Sequence, residues 1–424
     1  MGAAFEMVLL QHPLPINDRH LANNIIFGVL RNRQSLDCML EYLCSQPLKK
    51  LKPFVHQALR VGLYQIMFLD RIPESAAVNE SVKAVQAAKL PKRLHGFVNG
   101  VLRNSIRKRK ELLECVNKQQ PLILNHPGWL QKRWQKHFGT SKARAICEQN
   151  NRKAPLILQV NSCTIKRDDF LQLLHNNTVH AEKCHYSESG ILLPDFHGSI
   201  STLPGFKRGF FQVQDQGAQL LSRLLLPLHQ KGKYLDACAG VGGKTSVLIQ
   251  LLQNGNATLT ANEPERERQK KFTENMTRLH PKMHIHLSRT TLQEFNTQST
   301  ELFHGILLDA PCSGTGVIGR HPDIRWNRKK EDLPGYQKTQ LELLHCASTL
   351  LAPDGTLVYA TCSLEEEENE QVIDQFLAQH TDFMLEKCAD YLPGNCQDLC
   401  FGDFFAPLPQ EGIDGFFAAR LRKI

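Results

Sequence analysis

The chain has 424 residues, 42% hydrophobic and 22% charged, which fits a folded polypeptide of two or three domains and excludes a disordered or fibrous one. Its apolar runs, such as Val247-Leu248-Ile249, are far too short to span a membrane, and the start carries Glu6 without the basic flank of a secretory signal, so no membrane partner is expected. Thirteen cysteines without a Cys-x-x-Cys argue for free thiols in a reducing, cytoplasmic compartment and against both a disulfide framework and a metal site.

The formal charge of +9 is unevenly shared. Residues 1–112 hold 17 Lys and Arg against 8 Asp and Glu, and the remainder holds 34 against 34. A small segment this basic is a candidate polyanion binder, because neutralised phosphates release their counterions. The segment reads as helical. Apolar stripes predict helices over residues 19–31, 54–69, 76–88 and 94–106, with Pro73 ending the second. The run Arg107-Lys108-Arg109-Lys110 follows and suits a solvated helix end or a phosphate.

From about Pro121 the pattern changes. A helix is expected to end near Phe138, a strand at residues 156–160 and a short helix at 168–174, giving a small α+β segment. Beyond it, strands at 234–238, 258–261, 285–287, 305–309, 356–361 and 415–421 alternate with helices at 244–252, 265–279, 336–351 and 369–380. That alternation is the mark of a doubly wound α/β sheet. The expected domains are residues 1–115, 120–205 and 206–424.

Asp236-Ala237-Cys238-Ala239-Gly240-Val241-Gly242-Gly243-Lys244-Thr245 lies between the first of these strands and its helix. Gly-Gly-Lys-Thr resembles the end of a P-loop, but that motif needs a glycine where Cys238 stands, so the phosphate cradle is incomplete. The rival is a nucleoside-containing cofactor held in Rossmann fashion. It calls for an acid about 20 residues on, after the second strand, to bind ribose hydroxyls, and Glu263 occupies that position. Without a Gly-x-Gly-x-x-Gly fingerprint, S-adenosylmethionine is favoured over a dinucleotide.

Two cysteines follow strand ends, in Asp309-Ala310-Pro311-Cys312 and Thr361-Cys362-Ser363. Carboxyl ends of strands are where such sheets bind ligands. A thiolate is a strong nucleophile, and with a methyl donor an obvious use is methylation of C5 in cytosine. C5 becomes nucleophilic only after something adds at C6, which cysteine can do. An acid near N3 would favour the addition, and Asp309 is the candidate. A second thiol could help the step in which the C5 proton leaves and the first cysteine is expelled.

Together these segments resemble the Sun family of RNA 5-methylcytosine methyltransferases. Asp236–Thr245 is similar to its cofactor loop, Leu308-Asp309-Ala310-Pro311-Cys312-Ser313-Gly314-Thr315-Gly316 to its releasing-cysteine motif, and Leu357-Val358-Tyr359-Ala360-Thr361-Cys362-Ser363, with Glu367, Glu368 and Asn369, to its nucleophile strand. Phe27-Gly28-Val29-Leu30-Arg31, Leu63-Tyr64-Gln65-Ile66, Ala77-Val78-Asn79-Glu80-Ser81-Val82 and Phe97-Val98-Asn99-Gly100-Val101-Leu102-Arg103 resemble the NusB-like RNA-binding domain of the family's ribosomal subgroup.

The resemblance implies three parts: an all-α NusB-like domain, a small α+β part and a Rossmann-like methyltransferase domain. It implies Cys362 as nucleophile and Cys312 as releasing thiol. Cys238, Ala239, Gly240, Val241, Gly242, Gly243, Lys244, Glu263 and Asp309 would line the cofactor pocket. Arg320 and Arg325, in the segment after Cys312, would contact RNA. A monomer is expected, and the implied activity is cytosine-C5 methylation of small-subunit ribosomal RNA. The same chemistry on transfer RNA and an RNA-binding assembly factor with weakened cofactor binding are the alternatives. Gly240-Val241 replaces the family's Ala-Pro, Ser288-Arg289-Thr290-Thr291 stands where an Asp is usual, and the first helix of the NusB-like domain is expected to be missing.

Overall fold

The computed structural model describes residues 2–119, 124–253, 255–283 and 285–424. It divides into two compact units, Met1–Arg152 with Arg320–Asn327, and Lys153–Gly319 with Arg328–Ile424. The expected start of a middle segment at residue 120 lies outside the described residues.

The first unit is helical. Each of the four stripes read in the sequence is a helix: Ile16–Arg31, Pro53–Phe68, Glu74–Ala87 and Lys92–Arg107. Val55, Leu59, Leu63 and Ile66 recur at helical spacing and are buried with Val78, Val98 and Leu102. Each such side chain contributes roughly 1.5–3 kcal/mol by leaving water. Proline sets the entry of all four of these helices, Pro53 inside the first turn and Pro15, Pro73 and Pro91 at the cap, where its missing N–H costs no helical bond. Arg33–Leu43, Arg109–Gln119 and Thr140–Asn151 are further helices whose stripes are too polar to stand out in the sequence. Gly2–Gln11 is helical as well, which corrects the expectation of a missing first helix. The basic run straddles the break between two helices, and part of it is already engaged: Arg109 pairs with Glu74 at 3.1 Å and Lys108 with Glu111 at 3.3 Å.

The second unit holds two sheets. The smaller is antiparallel, built from β1 (Leu156–Val160), β2 (Glu182–Lys183), β3 (Gly190–Leu193) and β4 (Phe211–Val213) in the order β2-β3-β1-β4. Phe170 and Leu174 of the helix Arg167–Asn176 pack into its core. The larger comprises β5 (Lys233–Asp236), β6 (Thr258–Asn262), β7 (His286–Ser288), β8 (Phe303–Asp309), β9 (Leu351–Thr361), β10 (Phe383–Glu386), β11 (Cys400–Phe401), β12 (Phe404–Phe405) and β13 (Phe417–Lys423).

The order in the larger sheet is β11-β12-β13-β9-β8-β5-β6-β7, with β10 also on β13. Strands β5 to β9 run parallel and β13 joins β9 antiparallel. The interiors of β8 and β9 are buried runs of aliphatic residues, as a sheet covered by helices on both faces requires. From β5 the chain proceeds outward through β6 to β7, then crosses to β8 on the other side of β5. The order therefore reverses between β5 and β8, and the crevice beyond their carboxyl ends is where a ligand is expected.

Candidate active site

Strand pairing brings the two cysteines together. β8 and β9 run in parallel register with Asp309 opposite Ala360, so the segments leaving the two strands emerge side by side. Cys312 Sγ and Cys362 Sγ lie 3.3 Å apart, within thiol hydrogen-bond distance. The segments are tied closely: Gly316 N–H donates to the Cys362 carbonyl at 2.9 Å, and a Cβ on Gly316 would stand 2.2 Å from the Gly415 carbonyl oxygen. Only glycine permits that approach.

A buried carboxylate joins the two loops from beneath. Glu368 is fully buried and accepts hydrogen bonds from Ser313 N–H at 2.7 Å, Gln340 Nε2 at 3.0 Å, and the hydroxyls of Ser313 and Ser363. The residue after each cysteine is thus held by one carboxylate. Tyr359 O–H donates to the Glu368 carbonyl at 2.6 Å, and Asn369 bonds Thr361 Oγ1 and the Ser363 carbonyl. Charge-assisted bonds of this kind are stronger than neutral ones and leave little freedom to the groups they fix. In the sequence, Glu368 stands out only as part of the family resemblance, with no role of its own.

The electrostatics distinguish the thiols. The hydrogen bond with Cys362, burial, and the negative charges of Cys362, Glu368 and Asp309 push the Cys312 thiol well above its ordinary value. Cys312 therefore keeps its proton at neutral pH and can donate it toward Cys362. Nearby, Lys244 Nζ donates to Asp309 Oδ2 at 2.5 Å. Burial alone would lower the Lys244 ammonium, but the charge and hydrogen bond of Asp309 outweigh it, and charge at Cys362 adds to them; the result is raised. A cation thus sits within electrostatic reach of Cys362.

The glycine loop leaves β5 and enters the helix Gly243–Leu252 through two left-handed residues, Gly240 at φ +57° and Gly242 at φ +88°. Gly240 N–H donates to Glu263 Oε2 at 2.9 Å, and Glu265 N–H to Glu263 Oε1 at 2.8 Å, so the carboxylate beyond β6 faces the loop in a fixed orientation. At the base of the loop Thr245 Oγ1 donates to Asp236 Oδ2 at 2.6 Å, and burial pushes the Asp236 carboxyl up to about 6. Burial likewise pushes the Cys238 thiol up. A Cβ at Gly240 would meet nothing within 4 Å, so the loop is open to a ligand at that point. An open backbone turn between Glu263 and Asp309 fits a nucleoside whose hydroxyls need an acceptor and whose transferable group is cationic. Where the family's usual Asp is replaced, Ser288 accepts Glu263 N–H through its carbonyl at 3.1 Å, and Thr291 caps the helix Leu292–Gln298.

Cys312, Cys362, Asp309 and Lys244 thus gather beyond the ends of β8 and β9, with the rest of the loop 238–244 and Glu263 at the neighbouring strand ends. The two arginines lie in a segment grouped with the first unit. Arg320 is half-buried in the segment that belongs to the first unit. Arg325 is fully buried there, and its guanidinium donates to the carbonyls of Asn125 at 2.9 Å and Asn150 at 2.8 Å and to Asn151 Oδ1 at 2.6 Å. This corrects the expectation of an RNA contact at Arg325: its Nη1 and Nη2 are committed to protein oxygens away from water.

The model of the 16S rRNA methyltransferase RsmB/F family matches residues 223–422, that of the NusB family residues 2–107, and that of the RsmF/B-like ferredoxin-like domain residues 126–197. Ribosomal RNA small subunit methyltransferase B of Photorhabdus laumondii is 36% identical over 424 residues, covering 100% of this chain and 95% of its own. The protein of that name from Pasteurella multocida is 37% identical over 420 residues, covering 98% and 90%. A methyltransferase homolog from Pyrococcus horikoshii superposes with a TM-score of 0.60 at 27% identity, over 73% of this chain and 98% of its own.

Proposed function

The chain belongs to the RsmB/F family of 16S rRNA methyltransferases, and from that premise we propose that it methylates C5 of a cytidine in small-subunit ribosomal RNA through a covalent bond between Cys362 and C6. The observation that carries this reading is the pair of thiols 3.3 Å apart, one held protonated and the other near a half-buried ammonium.

S-adenosylmethionine, when bound, supplies the methyl group. The loop Cys238–Lys244 and Glu263 hold it, with Asp309 contributing negative charge for its cationic end. The target base leaves its stack to enter the crevice, as enzymes acting on a ring atom require. Cys362 adds as the thiolate to C6, stabilised by the Cys312 S–H and the Lys244 ammonium. Addition makes C5 electron-rich. A proton shared with N3 favours it, and in the Lys244–Asp309 pair that proton is carried by the Lys244 ammonium, which Asp309 orients. At release the C5 proton passes to water, its electron pair re-forms the C5–C6 double bond, and the C6–S bond breaks to return Cys362 as a thiolate that accepts the Cys312 S–H hydrogen bond.

The test is incubation of the chain with 16S rRNA, transfer RNA and S-adenosylmethionine, followed by bisulfite mapping. A single protected cytidine in 16S rRNA is expected. Protection confined to transfer RNA would refute the substrate, and RNA binding without methylation would refute the enzyme in favour of an assembly factor.

A further inference from the structure

Beside the helix Arg266–Leu279 lies a groove of about 1130 Å³ that the site described above does not use. Lys207, Arg266, Lys270, Arg278 and Arg289 line it, against one carboxylate among the described residues, that of Glu274. We propose that this groove binds the phosphate backbone of single-stranded RNA next to the target nucleotide, a proposal that rests on RNA being the substrate.

The charges are arranged for an external anion. Lys207, Arg266 and Arg289 are exposed, and among the described residues none of the three makes an ion pair. Lys270 pairs only with the exposed Glu267, at 2.7 Å, an interaction that water and salt weaken and a phosphate could replace. Arg278 is fixed in place: it donates to the carbonyls of Phe206 at 3.1 Å and Phe211 at 2.9 Å, and its guanidinium lies 4.3 Å over the Phe206 ring. It forms the rigid floor at one end.

Size and polarity narrow the occupant. Small-molecule pockets run to about 1,000 Å³ and are lined mainly by apolar groups. This groove is larger, and among the described residues Phe206 and Pro264 are the only apolar side chains lining it. An apolar protein partner would find little to bury there. From Arg266 to Arg278 the helix axis advances about 18 Å, long enough to follow several phosphates in succession. The groove begins at Pro264, the residue after Glu263, so a strand lying in it would run up to the cofactor loop.

The test reverses the three unpaired charges together, Lys207→Glu, Arg266→Glu and Arg289→Glu, in the full chain. A matched control reverses Lys231, Lys338 and Lys387, exposed residues of the same unit that do not line the groove. Fluorescence anisotropy follows binding of a labelled single-stranded 16S rRNA fragment across a range of salt, and calorimetry follows S-adenosylhomocysteine. The groove variant is expected to bind RNA at least tenfold more weakly than the control. The slope of log affinity against log salt should shrink by about 0.7 for each phosphate that the variant no longer neutralises, and cofactor-product affinity should stay unchanged. Equal weakening in both variants, or none in either, would overturn the proposal. The readout is binding, so failure of the unaltered chain to methylate RNA would count against the proposed function and leave the groove standing.

Discussion

At the scale of single residues, the thiols were legible in the sequence and the group that positions them was not. Cys312 and Cys362 each follow an aliphatic run that has to be a buried strand, which is enough to put both at strand ends. Their 3.3 Å separation depends on the parallel register of β8 against β9, which pattern alone does not supply. Glu368 sits in the acidic run Glu365-Glu366-Glu367-Glu368, which reads as a solvated surface; its burial comes from Ser313, Gln340 and Ser363 converging on it across the fold. Because it spans both cysteine loops, Glu368→Gln, which keeps the shape but loses the charge, should loosen the pair. Misplacement by about 1 Å costs on the order of 100-fold in rate. Single-turnover methylation should therefore fall by roughly 10–100-fold, while calorimetric affinity for S-adenosylhomocysteine holds. A variant as fast as the parent would show that the carboxylate does not position the thiols.

At the scale of elements, strongly periodic helices and aliphatic strands were readable, whereas β2, β10, β11 and β12 are too short or too mixed to carry a signal. The segment Arg320–Asn327 shows another limit: adjacency to the Cys312 motif suggested an RNA contact, but folding takes the segment into the first unit. Arg325→Ala would leave the Asn125 and Asn150 carbonyls buried without their donor, at roughly 3 kcal/mol or more. Thermal unfolding should show the loss, with the salt slope of RNA binding unmoved; an unmoved melting temperature with a shallower slope would restore the RNA contact. At the turn from β5, Asp236 holds its proton up to about pH 6 in the fold, against 3.8 ordinarily. Between those values the folded chain binds more protons than the unfolded one, so stability falls as pH rises through this window and the cost is complete above it. That cost is about 3 kcal/mol. Asp236→Asn should raise the melting temperature at pH 8 and bring little gain at pH 4, in paired thermal scans. A gain of equal size at both pH values would locate the effect elsewhere than in ionisation.

At the scale of the molecule, composition already divided the chain: the whole positive excess lies in residues 1–112, within a helical unit matched by the NusB family model. The neutral remainder concealed a local concentration of charge, because Lys207 and Arg289 come from distant parts of the sequence to meet Arg266. Sums over sequence segments cannot reveal such a groove. The central claim is the division of labour between the cysteines, and it is tested most directly on the full chain with 16S rRNA and S-adenosylmethionine, followed by denaturing electrophoresis. Cys312→Ala should accumulate a protein–RNA adduct that survives denaturation, while Cys362→Ala and the double variant should form none and transfer no methyl group. An adduct in the absence of Cys362, or methylation by Cys362→Ala, would contradict the account.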